Sequence, residues 1–335
     1  MNTTTEFDPL FDRFLSHQDF GHGRRKHYMV LKRMIGRYVI YRRIILHDDS
    51  FRFDVRSVCP EILSDLYEYL RQESDIVAGH PELSAAFGTG TRIGKRGGNY
   101  MNSVFKELRA FFNWCISEKF ISTSPFRDFR ICPERYGTPV YLTLDEIGRI
   151  YRTDMSSNPG LETQKDIFVF QCNIGCGVGD LLKMTRENVV DGIVEYIPSK
   201  TIKENARTVS VPLNSIAEEI LGKYSGLPGN RLLPFISAQR YNDRIKEILE
   251  TAGITRTATI LDSVTRTEKK VPINRIASSH LARRTFIGNI YKTVKDPCLV
   301  SSLTGHVDGS TAFARYRDID IDIKKDLVRI LENRK

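Results

Sequence analysis

Between Met101 and Ile121 the chain carries Val104, Phe105, Leu108, Phe111, Phe112, Cys115 and Ile116 at i, i+3 and i+4 spacing, a stripe that predicts a helix with one wide buried face. A face that wide has to be covered by other helices, and the preceding sequence supplies them. Apolar residues recur among basic ones from Tyr28 to Ile45, and Ile62, Leu63, Leu66, Tyr67 and Leu70 keep near-helical spacing between Val58 and Gln72. Residues 77–99 break the pattern with six glycines and the basic residues Arg92, Lys95 and Arg96, and predict a loop. After the stripe, residues 122–141 hold Pro125, Pro133 and Pro139 and show no helical period, which marks a domain boundary.

Structure resumes at Thr143, which forms a capping box with Glu146. Helical patterns cover 162–176 and 178–186. Val189-Val190 and Ile193–Ile197 then read as a strand pair turning on Asp191-Gly192, and Thr208–Val211 is a third strand beyond the polar turn Lys200–Arg207. Further helices are predicted at 213–224, 238–252, 278–294, 297–304 and 320–333, with a polar insertion at 255–275. The expected fold is mainly α in two domains: an all-helical one over 1–126, a linker over 127–141, and a helix-rich one over 142–335 with one small antiparallel sheet. A length of 335 residues suits two domains.

Composition narrows the function classes. Fifty basic against 41 acidic residues give a net charge of +9, compatible with nucleic acid or an anionic surface but decisive for neither. No run approaches the ~20 apolar residues of a bilayer span, and the acidic start MNTTTEFDPLFDRF lacks the layout of a secretory signal. A cytoplasmic, nucleoid-associated protein is expected, with no membrane partner. Of the six cysteines only Cys172 and Cys176 are close, and no second pair completes a zinc spacing, so all six are read as reduced and most of them as packing residues.

Chemistry-bearing residues concentrate in the last 140 positions. They are Lys200 in the strand connection, His280 and Arg283 three apart on one helix, Leu303-Thr304-Gly305-His306, and Tyr316. Singly each has an ordinary reading: a solvated lysine, a surface pair, a glycine-terminated helix, a packed tyrosine. Together they suit metal-free attack on a phosphodiester. A phenol can be nucleophile and leaving group, an arginine fork matches two phosphate oxygens, a lysine can protonate a departing oxygen, and histidines titrate near neutrality. No carboxylate run suggests a two-metal site.

This order (Lys, H-x-x-R, L-T-G-H, Tyr) resembles the tyrosine recombinases, or phage-integrase family. The likeness extends to Asn99–Pro125, similar to the last helix of that family's core-binding domain and its exit. It includes Pro139–Ile147, similar to the entry of its catalytic domain. The segments SLTGH and AFARYRDID resemble integrases of Bacteroidetes-type mobile elements. The resemblance implies that Tyr316 attacks the scissile phosphate, Arg283 binds it, Lys200 is the general acid, and His280 and His306 assist, with no metal or cofactor. It implies double-stranded DNA attachment sites as substrate and a homotetramer in the synaptic complex. It also implies exchange of the amphipathic segment Asp318–Lys335 between subunits, with host DNA-bending or accessory factors as further partners. The activity implied is site-specific recombination that integrates or excises a mobile element or inverts DNA.

One departure stands out. The family's first catalytic arginine falls at Gly177 within Asn173–Leu181, although Gly175 and Asp180 match the box. Losing such a donor costs about 10²–10³ in rate. Another cation, Lys183 or Arg186 being nearest in sequence, substitutes; or the enzyme is slow but adequate; or the chain is a catalytically impaired DNA-binding or architectural protein on a recombinase scaffold. Phosphate contacts beyond the site are expected from Arg24, Arg25, Lys26, Lys32, Arg33, Arg92, Lys95 and Arg96, against the plainer reading of a solvated basic face.

Overall fold

The computed structural model describes residues 5–88, 91, 93–199, 202, 206–294 and 296–305. The chain forms two compact units. One comprises residues up to Tyr136 with Asp262–Thr267, the other Gly137–Leu261 with the described residues from Glu268 onward.

The first unit is helical: α1 (Phe7–His17), α2 (His22–Ile44), α3 (Pro60–Gly79), α4 (Pro81–Phe87) and α5 (Gly98–Ser117). The stripe of α5 is its centre, and Val104, Phe105, Leu108, Phe111, Phe112, Trp114 and Cys115 are all buried. Phe111 meets Phe7, Phe11 and Phe14 of α1 with ring centroids 5.0–5.6 Å apart, and Tyr28 of α2 meets Phe14 edge-on at 5.2 Å. Such pairs each add about 0.5–1.5 kcal/mol beyond burial. The predicted loop 77–99 is partly helical: α3 runs to Gly79 and α4 follows at once. Pro81 stands in the first turn of α4, where a missing N–H costs nothing, and Leu83 is buried.

A buried acid ties this unit together. Glu73 of α3 is fully buried, accepts from Arg37 Nε at 2.5 Å and Tyr69 Oη at 2.9 Å, and forms an ion pair with Arg96. Arg96 also donates to the Leu70 carbonyl at 2.6 Å. Burial pushes the Glu73 carboxyl up, but Arg37 and then Arg96 more than offset this, and it lies below the ordinary glutamate range.

The second unit packs around α7 (Pro159–Ile174), which follows α6 (Leu144–Arg152). Thr143 Oγ1 accepts from Glu146 N at 3.2 Å while the Glu146 carboxylate accepts from Thr143 N at 2.8 Å, the reciprocal cap that the sequence predicts. Helix α7 is buried on nearly every side, as a helix packed against α6 and three others must be. Those others are α9 (Ser215–Lys223), α10 (Ala238–Thr251) and α12 (Ser279–Val294); the short α8 (Val178–Leu181) and α11 (Ile273–Ile276), with α13 (Pro297–Thr304), complete the helices among the described residues. The helix expected over 178–186 is only one turn, because Thr185 caps a separate 3-10 turn, Arg186–Asn188.

Strands β1 (Val189–Val190), β2 (Ile193–Tyr196) and β3 (Val209–Pro212) form an antiparallel sheet in that order. Asp191 and Gly192 both take positive φ, 50° and 75°, as a two-residue hairpin turn requires. The polar insertion at 255–275 is a second hairpin, β4 (Thr257–Leu261) paired with β5 (Glu268–Pro272). Only Ala258 of its ten strand residues is buried, so backbone pairing rather than an apolar pattern holds it. Cys115, Cys172 and Cys176 are buried free thiols, while Cys132 and Cys298 are exposed. No helix among the described residues is long and apolar enough to cross a membrane.

Glu73→Gln keeps the shape of the hub and leaves two arginines facing no anion. A loss of about 3–5 kcal/mol is expected in the first unit, read by urea unfolding through Trp114, the chain's single tryptophan. Because the folded carboxyl titrates below its unfolded value of about 4.3, wild type has this stabilisation in full above that pH and loses it as pH falls through the lower folded value. The Gln variant should lack this acid dependence.

Candidate active site

The H-x-x-R pair lies at the start of α12, whose first residue is held by a hydrogen bond from Ser279 N to Asn242 Oδ1, 2.8 Å. His280 is exposed and Arg283, one turn on, is half-buried. Arg283 Nη1 donates to the Gly175 carbonyl at 3.0 Å and Nη2 to the Thr304 carbonyl at 2.7 Å. These carbonyls belong to the C-terminal ends of α7 and α13, each closed by a left-handed glycine, Gly175 (φ 66°) and Gly305 (φ 67°). Helix C-termini present carbonyls without helical partners and carry negative partial charge, so two of them fix a guanidinium firmly.

Both glycines are also demanded by close approach. A Cβ on Gly175 would lie 2.2 Å from the Phe286 ring of α12, and one on Gly305 would lie 2.7 Å from Pro198 and 2.9 Å from Val209. Gly305 therefore seats the end of α13 against Pro198 and Val209 of the β2–β3 region. The stretch 173–181 joins the same place. Gly177 is the N-cap of α8 with φ −71°, and among the described residues, its chain neighbours aside, a Cβ there would meet only Asp180 Oδ2, at 3.4 Å, within 4 Å. Asp180 Oδ1 accepts from Ser199 N at 2.9 Å, tying α8 to the residue before Lys200.

Tyr196 of β2 is buried, with its hydroxyl close to Arg283 and Asp180. Burial pushes its pKa well up; Cys176 and Asp180 push the same way and Arg283 opposes them. Burial likewise raises the Cys176 thiol. The backbone of Cys176 is held by Gln171 Nε2 at 3.1 Å, and Gln171 Oε1 accepts from Tyr241 Oη at 3.0 Å. Sequence reasoning did not single out Tyr196 or this Gln171–Tyr241 pair. In sequence they look like ordinary strand and helix interior, and nothing in their spacing separates them from core.

Four sequence-distant segments thus converge on Arg283: 173–181, the β2–β3 connection, the start of α12 and the end of α13. Lys200, His306 and Tyr316 lie outside the described residues, as do Arg92 and the segment Asp318–Lys335.

The basic residues of the first unit differ in kind. Arg24 stacks over Phe20 at 5.5 Å, Arg25 donates to the Leu15 carbonyl at 3.3 Å, and both are exposed, as are Lys26 and Arg33. Lys32 pairs with Asp12 at 2.7 Å and Asp8 at 3.8 Å, and Lys95 with Asp75 at 3.2 Å. Arg96 is committed to Glu73. Arg33, Arg37, Arg96 and Tyr100 line a cavity of about 760 Å³ beside α2.

No protein-family model and no curated protein sequence matches the chain. Solved structures do. A lambda integrase dimer bound to a COC′ core site is similar with a TM-score of 0.62 at 18% identity, covering 94% of this chain and 96% of that one. A lambda integrase tetramer bound to a Holliday junction gives 0.62 at 17% identity, covering 95% and 78%. The Tn1549 transposon integrase in complex with a circular intermediate DNA gives 0.63 at 14%, covering 98% and 100%. The fold is that of the tyrosine recombinases.

Gly305→Ala should cost about 1–3 kcal/mol, since the added Cβ overpacks Pro198 and Val209 and sits on a left-handed backbone. Gly226→Ala, where nothing among the described residues beyond the chain neighbours lies within 4 Å, should be near neutral. Thermal unfolding of the two variants against wild type checks the difference.

Proposed function

We propose that this chain is an integrase-type site-specific recombinase that cleaves and rejoins double-stranded DNA through a 3′-phosphotyrosine. The observation that carries the reading is the clamp of Arg283 between two helix ends, at the spot where the segments bearing Lys200 and His306 also lead. In the proposed reaction the Tyr316 oxygen attacks phosphorus and the P–O5′ bond breaks. Lys200 gives a proton to the departing 5′-oxygen, His280 and His306 take part in moving the phenolic proton, and Arg283 neutralises the phosphate oxygens. The ester bond to DNA is exchanged for an ester bond to the enzyme, so the reverse attack by a 5′-hydroxyl reseals a strand without an external energy source.

Residues 1–126 act as the core-binding domain, 127–141 as the linker and 142–335 as the catalytic domain. Exposed Arg24, Arg25, Lys26 and Arg33 are the strongest phosphate contacts in the first domain, since Lys32, Lys95 and Arg96 already face carboxylates. The similar proteins bound to DNA as dimer and tetramer support assembly of this chain on paired DNA sites, with mobile-element integration or excision, or DNA inversion, as the outcome. Gly177 favours a second reading, a DNA-binding protein on the same scaffold without cleavage.

The two are separated with nicked duplexes tiling the DNA that flanks the coding sequence, in the presence of chelator. Wild type should form an SDS-resistant protein–DNA adduct, and Tyr316→Phe should bind the same duplex without one. Binding by wild type with no adduct on any duplex would favour the second reading.

A further inference from the structure

We infer that Lys183 supplies the phosphate-binding cation that Gly177 does not, an assignment that rests on the recombinase reading above. The requirement comes from charge. When a phenol attacks a phosphodiester, negative charge builds on the two non-bridging oxygens, and each well-placed donor to such an oxygen is worth about 10²–10³ in rate. Arg283 is one such donor. Its guanidinium already spends two N–H groups on the carbonyls of Gly175 and Thr304, which fix it on one side of the site. Two residues on from Gly175 stands Gly177, with no side chain: among the described residues, its chain neighbours aside, Asp180 Oδ2 is the only atom within 4 Å of a Cβ built there.

The two cations nearest in sequence part company in the fold. Arg186 is turned toward the end of α9, where Nη2 donates to the Ser225 carbonyl at 2.7 Å and the Leu227 carbonyl at 2.5 Å. Lys183 is turned the other way. Its Nζ donates to Ser199 Oγ at 3.3 Å, Ser199 N donates to Asp180 Oδ1 at 2.9 Å, and the other oxygen of Asp180 faces the Gly177 position. Two residues, Ser199 and Asp180, therefore link the ammonium to the Gly177 position, and Ser199 immediately precedes Lys200.

The chemistry of the contact fits an exchangeable ligand. Lys183 is exposed, and 3.3 Å to a hydroxyl is a long bond for an ammonium. A four-carbon stem with three rotatable donors can leave a serine hydroxyl for a phosphate oxygen, which it binds as a point charge. The backbone beneath it is set: Lys183 N donates to the Asp180 carbonyl at 3.0 Å, which closes α8 and aims the residue at the β2–β3 connection. Lys183 is thus placed by the same short helix that Gly177 opens.

The test measures adduct formation on the nicked duplexes with Lys183→Ala, Lys183→Arg, Arg186→Ala and the double variant Gly177→Arg/Lys183→Ala, alongside mobility-shift binding and thermal unfolding. Lys183→Ala should slow adduct formation by about 10²–10³ with binding and unfolding close to wild type. Lys183→Arg or the double variant should recover most of the rate, and Arg186→Ala should stay within a few-fold. An unchanged rate in Lys183→Ala would overturn the assignment while leaving the recombinase reading intact. So would a slow Lys183→Ala that neither Lys183→Arg nor the double variant rescues. A wild type that forms no adduct would overturn the recombinase reading and this assignment with it.

Discussion

The second unit depends on one cation shared between two helix ends. Arg283 bridges the carbonyl of Gly175, which caps α7, and that of Thr304, which ends α13, so α12, which carries it, cannot shift against either without breaking a charge-assisted hydrogen bond. The bridge needs backbone to come very close, and glycine makes that possible twice. Gly175 lets the end of α7 meet Phe286, and Gly305 lets the end of α13 meet Pro198 and Val209. A guanidinium held this way is oriented before any substrate arrives, and catalysis by electrostatic stabilisation depends on that kind of preorganisation.

The surroundings of Gly177 are organised differently. Where Arg283 is locked by carbonyls, the Gly177 side is lined by Asp180 and Ser199, small polar groups whose hydrogen bonds join α8 to the β2–β3 connection. A lysine reaching this side pays side-chain entropy each time it is ordered, whereas an arginine fork loses less freedom per hydrogen bond formed. A site with one fixed and one mobile cation would turn over more slowly than one with two fixed guanidinium groups. The buried hydroxyl of Tyr196 lies close to Arg283 and Asp180.

Much of this was legible in the sequence wherever a local rule acts alone. The α5 stripe, the Thr143–Glu146 capping box and the Asp191-Gly192 turn are each dictated by residues within one or two turns of each other, and each forms as read. The β4–β5 hairpin escaped because it buries almost nothing, so hydropathy has no period to report. Helix α4 escaped because a glycine-rich stretch masks the Pro81–Leu83 start. In the site, Arg283 is visible as part of an ordered set, yet the carbonyls that hold it are backbone groups and leave no mark in the sequence. Charge is the least legible feature: Lys95, Arg96 and Arg33 read alike, but one faces Asp75, one is buried on Glu73 and one is exposed.

The central claim is that the Arg283 centre serves a tyrosine that becomes covalently joined to DNA. The most direct measurement is mass spectrometry of the nucleotide-bearing peptide recovered after proteolysis and nuclease digestion of the trapped complex. The account predicts a single linkage, on Tyr316, to a 3′-phosphate, with a free 5′-hydroxyl on the released strand. Attachment to any other residue, or a linkage through a 5′-phosphate, would contradict it.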